Sequence, residues 1–269
     1  MRLKMLALIA TMTPAAAQAA SFNLFDGAAQ ATVTDRNGVT VWRTDGEADN
    51  IFIGNYYVRR SGDESELPLK EFIGEPTATV SDDTVTLLFA DDRLSATLET
   101  RLEGGAPGSG RSTLTRSLSI TNTGPETQSL FLFDYLDLDI RFEQLNQQDQ
   151  FIQTEPGRVI TTSAREPFFV DTRVTPTPES WEIGDFFELY TKFFIDQDGP
   201  TALPNTPALG DAFPVPPGEG AFAFGWAFDL EPDAQFPVSN VSTIAPIPLP
   251  AGGWLLVSAI GALGMLRRR

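Results

Sequence analysis

The sequence contains neither cysteine nor histidine. Without cysteine there are no disulfides, no thiolate metal sites and no sulfur nucleophile. Without histidine the commonest general base and the commonest transition-metal ligand are missing. A Ser-His-Asp triad, a zinc hydrolase site and a two-histidine iron site are therefore excluded. Acid–base chemistry is left to carboxylates, tyrosine and lysine. Positive charge is also scarce. There are 19 Lys and Arg against 36 Asp and Glu, for a net charge of −17. Arg2, Lys4, Arg267, Arg268 and Arg269 lie in end segments that carry no carboxylate, so the stretch between them is more acidic still. Such a body repels nucleic acid and anionic lipid, and its charge speaks to solubility rather than to a site.

What is present points to a packed domain. The chain has 269 residues, 42% of them hydrophobic, with 20 Phe against 4 Tyr and 4 Trp. That is enough apolar material for one large domain or two small ones, and core burial is the default role of so many phenylalanines.

The two ends read as export signals. Met1-Arg2-Leu3-Lys4 precedes a short apolar run, and Ala17-Gln18-Ala19 closes the segment. This is the charged start, apolar stretch and A-x-A site of a cleavable signal peptide over 1–19, with Ala17 and Ala19 marking the cut. The run is too short to span a bilayer. Near the other end, 249–266 carry no charge and end on Arg267, Arg268 and Arg269. As a helix this stretch is about 27 Å long, enough for a hydrocarbon core. Trp254 would sit at one interface and the arginines on the cytoplasmic side.

The run Pro248-Leu249-Pro250-Ala251, the glycine-containing apolar span and the terminal arginines together resemble the VPLPA-CTERM sorting signal of the PEP-CTERM class. Ile247-Pro248 stands where that signal usually begins Val-Pro. The resemblance covers about the last 23 residues. It implies Sec export in a Gram-negative bacterium, an inner-membrane intermediate held by the C-terminal helix, and recognition by an exosortase. It further implies a final place at the cell surface or outside, beside exopolysaccharide or other envelope material.

Between the ends, strand follows strand. In 221–230, Phe222, Phe224, Trp226, Phe228 and Leu230 share one face, and Ala221, Ala223, Gly225, Ala227 and Asp229 the other. Alternation with period two is the mark of a strand. The same reading predicts a hairpin over 112–140, broken at Thr121-Asn122-Thr123-Gly124-Pro125, its second strand buried on both faces over its first half. A second hairpin is predicted around Asp91-Asp92. A third turns at Asp35-Arg36-Asn37-Gly38, where Asn37-Gly38 suits a tight turn. The aromatics of 180–194 fit helix or strand equally. The Pro-rich stretch 197–220 reads as a long excursion between strands, 104–110 as a mobile loop, and 242–246 as a tether. The expected fold is all-β: a large antiparallel β-sandwich over 20–241, flanked by the signal peptide and a C-terminal transmembrane helix. Two stacked immunoglobulin-like units are the alternative. Gly108-Ser109-Gly110, Thr121-Asn122-Thr123 and the strand from Phe222 to Phe228 also resemble features of other PEP-CTERM proteins, which implies a shared sandwich scaffold and no catalytic residues.

Site chemistry is sparse. Asp137 and Asp139 share a strand face and could meet one Ca²⁺. Asp196-Gln197-Asp198-Gly199 resembles the opening of a calcium loop, but position twelve is Pro207 where an EF-hand has Glu, so Asp196 and Asp198 do not begin one. Calcium is thus the only cofactor considered. Trp42, Tyr56, Tyr57 and Trp181 are aromatics that could stack on sugars, although strand aromatics are more often core. No phosphate-binding glycine loop and no basic stripe is present. The expected function is an exported surface or matrix protein that is not an enzyme. The alternative is a carbohydrate-binding module, or a carbohydrate-active enzyme working through a carboxylate pair.

Overall fold

The computed structural model describes residues 19–46, 49–140, 149–163, 166–195, 200–206, 212–214 and 220–248. The chain runs through β1 (Ser21–Asp26), β2 (Ala29–Thr34), β3 (Gly38–Thr44), β4 (Ile53–Arg60), β5 (Leu67–Pro68) and the one-turn helix α1 (Leu69–Phe72). It continues through β6 (Thr77–Val80), β7 (Thr84–Ala90), β8 (Leu94–Gly104), β9 (Ser112–Asn122), β10 (Gln128–Asp137), β11 (Asp149–Glu155), β12 (Arg158–Ser163) and β13 (Phe168–Thr175). After β14 (Ser180–Asp185) come α2 (Phe186–Tyr190) and a π-helical turn (Thr191–Ile195), then β15 (Ala212–Pro214), β16 (Gly220–Leu230) and β17 (Gln235–Pro246).

These strands form two sheets. Sheet A has the order β1-β2-β3-β4-β10-β16-β14, with β5 also paired to β4. Sheet B has the order β15-β11-β12-β13-β17-β9-β8-β7-β6. Pairing is antiparallel except at β3–β4, a short parallel contact at Gly38, Val39 and Gly54. The architecture is therefore the expected antiparallel sandwich, built as one large unit. Its core lies between the inner faces of the two sheets, where Trp42, Tyr56, Phe89, Phe151, Phe222 and Phe224 are fully buried. Phe151 of sheet B meets Phe222 of sheet A edge-on at 6.0 Å.

Hairpins β2–β3 and β7–β8 stand where the turn residues place them. The hairpin expected over 112–140 does not form. β9 belongs to sheet B and β10 to sheet A. Leu114, Leu118 and Ile120 face the same interior as Leu130, Leu132 and Leu136, but from the opposite sheet. Alternation reports that a face is buried, not whether the next strand lies beside it or across from it. The expected tether 242–246 is also corrected. Ser242, Thr243 and Ile244 pair with both β13 and β9, so β17 runs to Pro246. The expected mobile loop 104–110 is tied down, because Asp45 accepts hydrogen bonds from Gly108 N (2.8 Å) and Gly110 N (2.7 Å). The expected signal peptide up to Gln18 and the membrane helix 249–266 lie outside the described residues. Among the described residues no helix is long and apolar enough to cross a membrane.

One buried charge pair spans the sandwich. Arg116 Nη2 of β9 donates to Asp134 Oδ1 of β10 at 2.7 Å, and Asn240 Nδ2 of β17 donates to Asp134 Oδ2 at 2.7 Å. The guanidinium lies 5.0 Å from the Tyr56 ring, whose hydroxyl donates to the Arg116 carbonyl at 3.3 Å. Burial pushes the Asp134 carboxyl up from its ordinary value, and Arg116 opposes that shift.

Candidate functional site

The outer face of sheet A carries a second apolar layer. Strand alternation turns Ile53 and Tyr57 of β4, Phe133 and Tyr135 of β10, and Ala221 and Ala223 of β16 away from the main core. Segment 186–195 and the strap 200–206 cover them with Leu189, Phe193 and Leu203. The small face of β16 thus exists to admit this layer. At Gly225 a Cβ would stand 2.5 Å from Ser180 Oγ and 3.2 Å from Leu203 Cδ1. The ambiguous stretch 180–194 turns out to be both predicted forms in succession. Its strand β14 ends at Asp185, whose carboxylate caps α2 by accepting from Phe187 N at 2.9 Å and Glu188 N at 3.4 Å.

Beside this layer lies a cleft of about 610 Å³, within the usual size range of small-molecule sites. Tyr57 and Ile53 form its floor, and Tyr190, Phe193 and Phe194 one wall. Glu66, Leu67 and Glu71 form the other, with Arg36 and Asn37 of the β2–β3 turn at the rim. The β2–β3 turn needs Gly38, which has φ +65°, and whose Cβ, if present, would lie 2.2 Å from the Gly54 carbonyl oxygen.

The polar groups divide into committed and available ones. Glu66 is buried and fully used. Its Oε1 accepts from Arg59 Nε (3.0 Å) and Thr201 N (2.9 Å), and its Oε2 from Thr201 Oγ1 (2.8 Å). It clamps the strap 200–206 to β4. Glu71 is half-exposed and pairs with Arg36 at 2.7 Å. The Tyr57 hydroxyl is buried beside the Asn55 amide, yet makes no hydrogen bond of good geometry. Burial pushes this phenol well above its ordinary range, so it stays protonated at neutral pH. The Tyr135 hydroxyl is likewise buried without a bond, and its phenol is pushed up by burial and then by the charge of Asp137, with Asp139 adding to it.

Sequence reasoning reached part of this site. Of the four sugar-stacking aromatics, Tyr57 lines the cleft. Trp42 and Tyr56 are core, Trp42 donating from Nε1 to Ser112 Oγ at 3.0 Å, and Trp181 packs against the main core. Asp137 and Asp139 are buried near Tyr135. No group of three or more His, Cys, Asp or Glu among the described residues is placed to hold a metal ion. Asp196, Asp198, Ala17, Leu249, Pro250, Ala251, Arg267, Arg268 and Arg269 lie outside the described residues, while Ala19 and Pro248 border the described body. Glu66, Glu71, Arg36 and Tyr190 were not singled out from the sequence. Arg36-Asn37 is legible only as a turn, Tyr190 only as one aromatic of the ambiguous stretch 180–194, and no periodicity marks Glu66 or Glu71.

Two other concavities lie elsewhere on the described surface. One of about 430 Å³ lies across the strap from the cleft, lined by Arg59, Phe131 and Leu203. The other, about 660 Å³, lies on the outer face of sheet B among Thr97, Ser117, Ser119 and Pro237, and Glu99 is the one ionisable group lining it.

With this geometry in view, known structures decide the fold. The chain superposes on a structure from Escherichia coli K12 described as an aldose 1-epimerase, with TM-score 0.54, 12% identity, and coverage of 85% of this chain and 100% of the other. Its fold is that of the aldose-epimerase sandwiches. A galactose mutarotase related enzyme from Lactobacillus acidophilus matches with TM-score 0.54, 8% identity, and coverage of 86% and 100%. A galactose mutarotase-like protein from Lactobacillus casei ATCC 334 matches with TM-score 0.51, 7% identity, and coverage of 84% and 100%. No family model matches the sequence, and no curated protein matches it. The likeness is one of fold, and it corrects the expectation of a body that is not an enzyme. That expectation rested on the missing histidine and cysteine and on the lack of a recognisable catalytic constellation in the sequence. The sandwich itself is shared by structures described as an aldose 1-epimerase and a galactose mutarotase related enzyme.

Proposed function

We propose that the body is a carbohydrate-active protein whose sugar site is the cleft on the outer face of sheet A. The observation that carries this reading is the composition of the cleft: aromatic rings on the floor and one wall, carboxylates and an arginine on the other. Sugars have apolar ring faces edged by hydroxyls, and such a cleft offers both kinds of contact. The epimerase-like fold supports the same reading. In it, Glu71, the half-exposed carboxylate paired with Arg36, accepts hydrogen bonds from sugar hydroxyls at the rim, and the Tyr190 ring offers a stacking face on the wall. Glu66 positions the strap and holds the wall. We further propose that the terminal segments deliver this body outside the cell, through Sec export and an exosortase, so that its substrates are sugars of the envelope or matrix.

The test is a panel of free aldoses and oligosaccharides, read by calorimetry for binding and by polarimetry for anomer interconversion. Tyr190→Ala, which removes a part-exposed ring from the cleft wall, should weaken binding or slow turnover roughly three- to tenfold while the variant still unfolds cooperatively. Unchanged binding and turnover in Tyr190→Ala would remove this wall from the site.

A further inference from the structure

The cleft also carries information about the charge and length of its ligand. Every described cation around it is already paired with a carboxylate. Arg36 meets Glu71 at 2.7 Å and Arg59 meets Glu66 at 3.0 Å. Lys70 meets Asp35 and Glu75 at 2.9 Å each, and Lys192 meets Glu182 at 2.6 Å. A uronate or sulfate entering the cleft would give up water and, among the described residues, find every nearby cation already paired. It would also approach the charges of Glu66 and Glu71, in a body that is acidic as a whole.

The aromatic groups form a track rather than a single platform. Phe52, 55% exposed at the mouth, touches Phe186 with centroids 5.8 Å apart. Phe186 meets Tyr190 at 5.2 Å, Tyr190 stacks on Phe194 at 4.1 Å, and Phe194 reaches Tyr57 on the floor at 5.2 Å. The spacing of 186, 190 and 194 along a helical segment puts these rings on one side. A single sugar ring covers one such position, whereas a chain of rings can also reach the part-exposed Phe186 and Tyr190 and the exposed Phe52.

Resting on the carbohydrate reading above, we propose that the cleft takes an uncharged oligosaccharide chain and rejects acidic ones. Glu71 then acts as a charge filter, since it neutralises the rim arginine that would otherwise recruit an anionic sugar.

The experiment is calorimetric titration of the purified full chain with four sets of probes. These are neutral gluco- and galacto-oligosaccharides of six units, their monosaccharides, alginate hexamers and hyaluronan hexamers. Two exposed-site variants accompany it, Glu71→Gln and Phe52→Ala. The expected result is that a neutral hexamer binds at least about tenfold tighter than its monosaccharide and than either acidic hexamer. Phe52→Ala should weaken the hexamer several-fold and leave the monosaccharide unchanged. Glu71→Gln should raise affinity for the acidic hexamers several-fold by freeing Arg36. Acidic hexamers binding the wild type as tightly as neutral ones overturns the charge filter and leaves the carbohydrate reading standing. A monosaccharide binding as tightly as its hexamer overturns the chain-length claim alone. No binding of any sugar to the wild type or either variant overturns the carbohydrate reading itself.

Discussion

Asp134 is the residue on which the two sheets most depend electrostatically. Its carboxylate holds Arg116 and Asn240 together inside the sandwich, at 2.7 Å each. Removing one partner of a buried ion pair leaves an uncompensated charge, which costs about 3–5 kcal/mol, whereas replacing both by apolar groups is often neutral. Asp134→Asn should therefore lose roughly that much in urea denaturation, and Asp134→Leu with Arg116→Met should regain most of it. A loss under about 1 kcal/mol for the single variant would mean that Arg116 is neutralised elsewhere. Asp171 of β13 tests a different linkage. Burial alone would raise its carboxyl, but Arg158, at 2.9 Å from each oxygen, and Arg173 outweigh burial and hold it below the ordinary value. The folded value lies below the unfolded one, so the unfolded chain binds more protons near pH 4. The stability from Asp171 is thus present above about pH 5 and lost as pH falls through the folded value. Melting temperature followed from about pH 7 to about pH 2 should drop less steeply in Asp171→Asn, which should already be lower at pH 7.

At the scale of elements, the site depends on two features that alternation alone does not specify. One is the contact of the β2–β3 turn with β4. Gly38 has a left-handed backbone and a backbone oxygen where its Cβ would be, so no side chain fits without moving Gly54. Gly38→Ala should cost about 2 kcal/mol or more in thermal unfolding, since strain and overpacking add. It should also weaken sugar binding, because Arg36 and Asn37 move with the turn. A melting temperature equal to that of the wild type would contradict the close approach. The other feature is the aromatic cover. Pattern reading left 180–194 between helix and strand because Trp181, Phe186, Phe187 and Tyr190 suit both. Asp185 settles it locally, as a capping carboxylate that ends one element and starts the next.

At the scale of the whole molecule, the sandwich is tied down near both ends of its described span. Ala20 N donates to Asp35 Oδ1 at 3.1 Å just before β1, and Ile247 N donates to the Pro167 carbonyl at 2.7 Å just after β17. Ala20 and Ile247 are thus both tied into the sandwich. Intact mass and fractionation in a host with an exosortase should find the wild-type protein outside, lacking 254–269. Replacing Pro248-Leu249-Pro250-Ala251 should leave the tail in place and the protein in the inner membrane. A tail retained in both forms would make it a plain anchor. The sequence by itself determined the β class, most strand positions, the two tight hairpins and the absence of histidine and cysteine chemistry, because period-two alternation, turn residues and composition are local properties. Only the tertiary structure decided that β9 and β10 belong to opposite sheets, that β17 continues to Pro246, and that Tyr57, Glu66, Glu71 and Arg36 share one cleft. Those facts depend on which buried face meets which, and a single alternating strand presents the same pattern to a neighbour beside it as to a partner across the core.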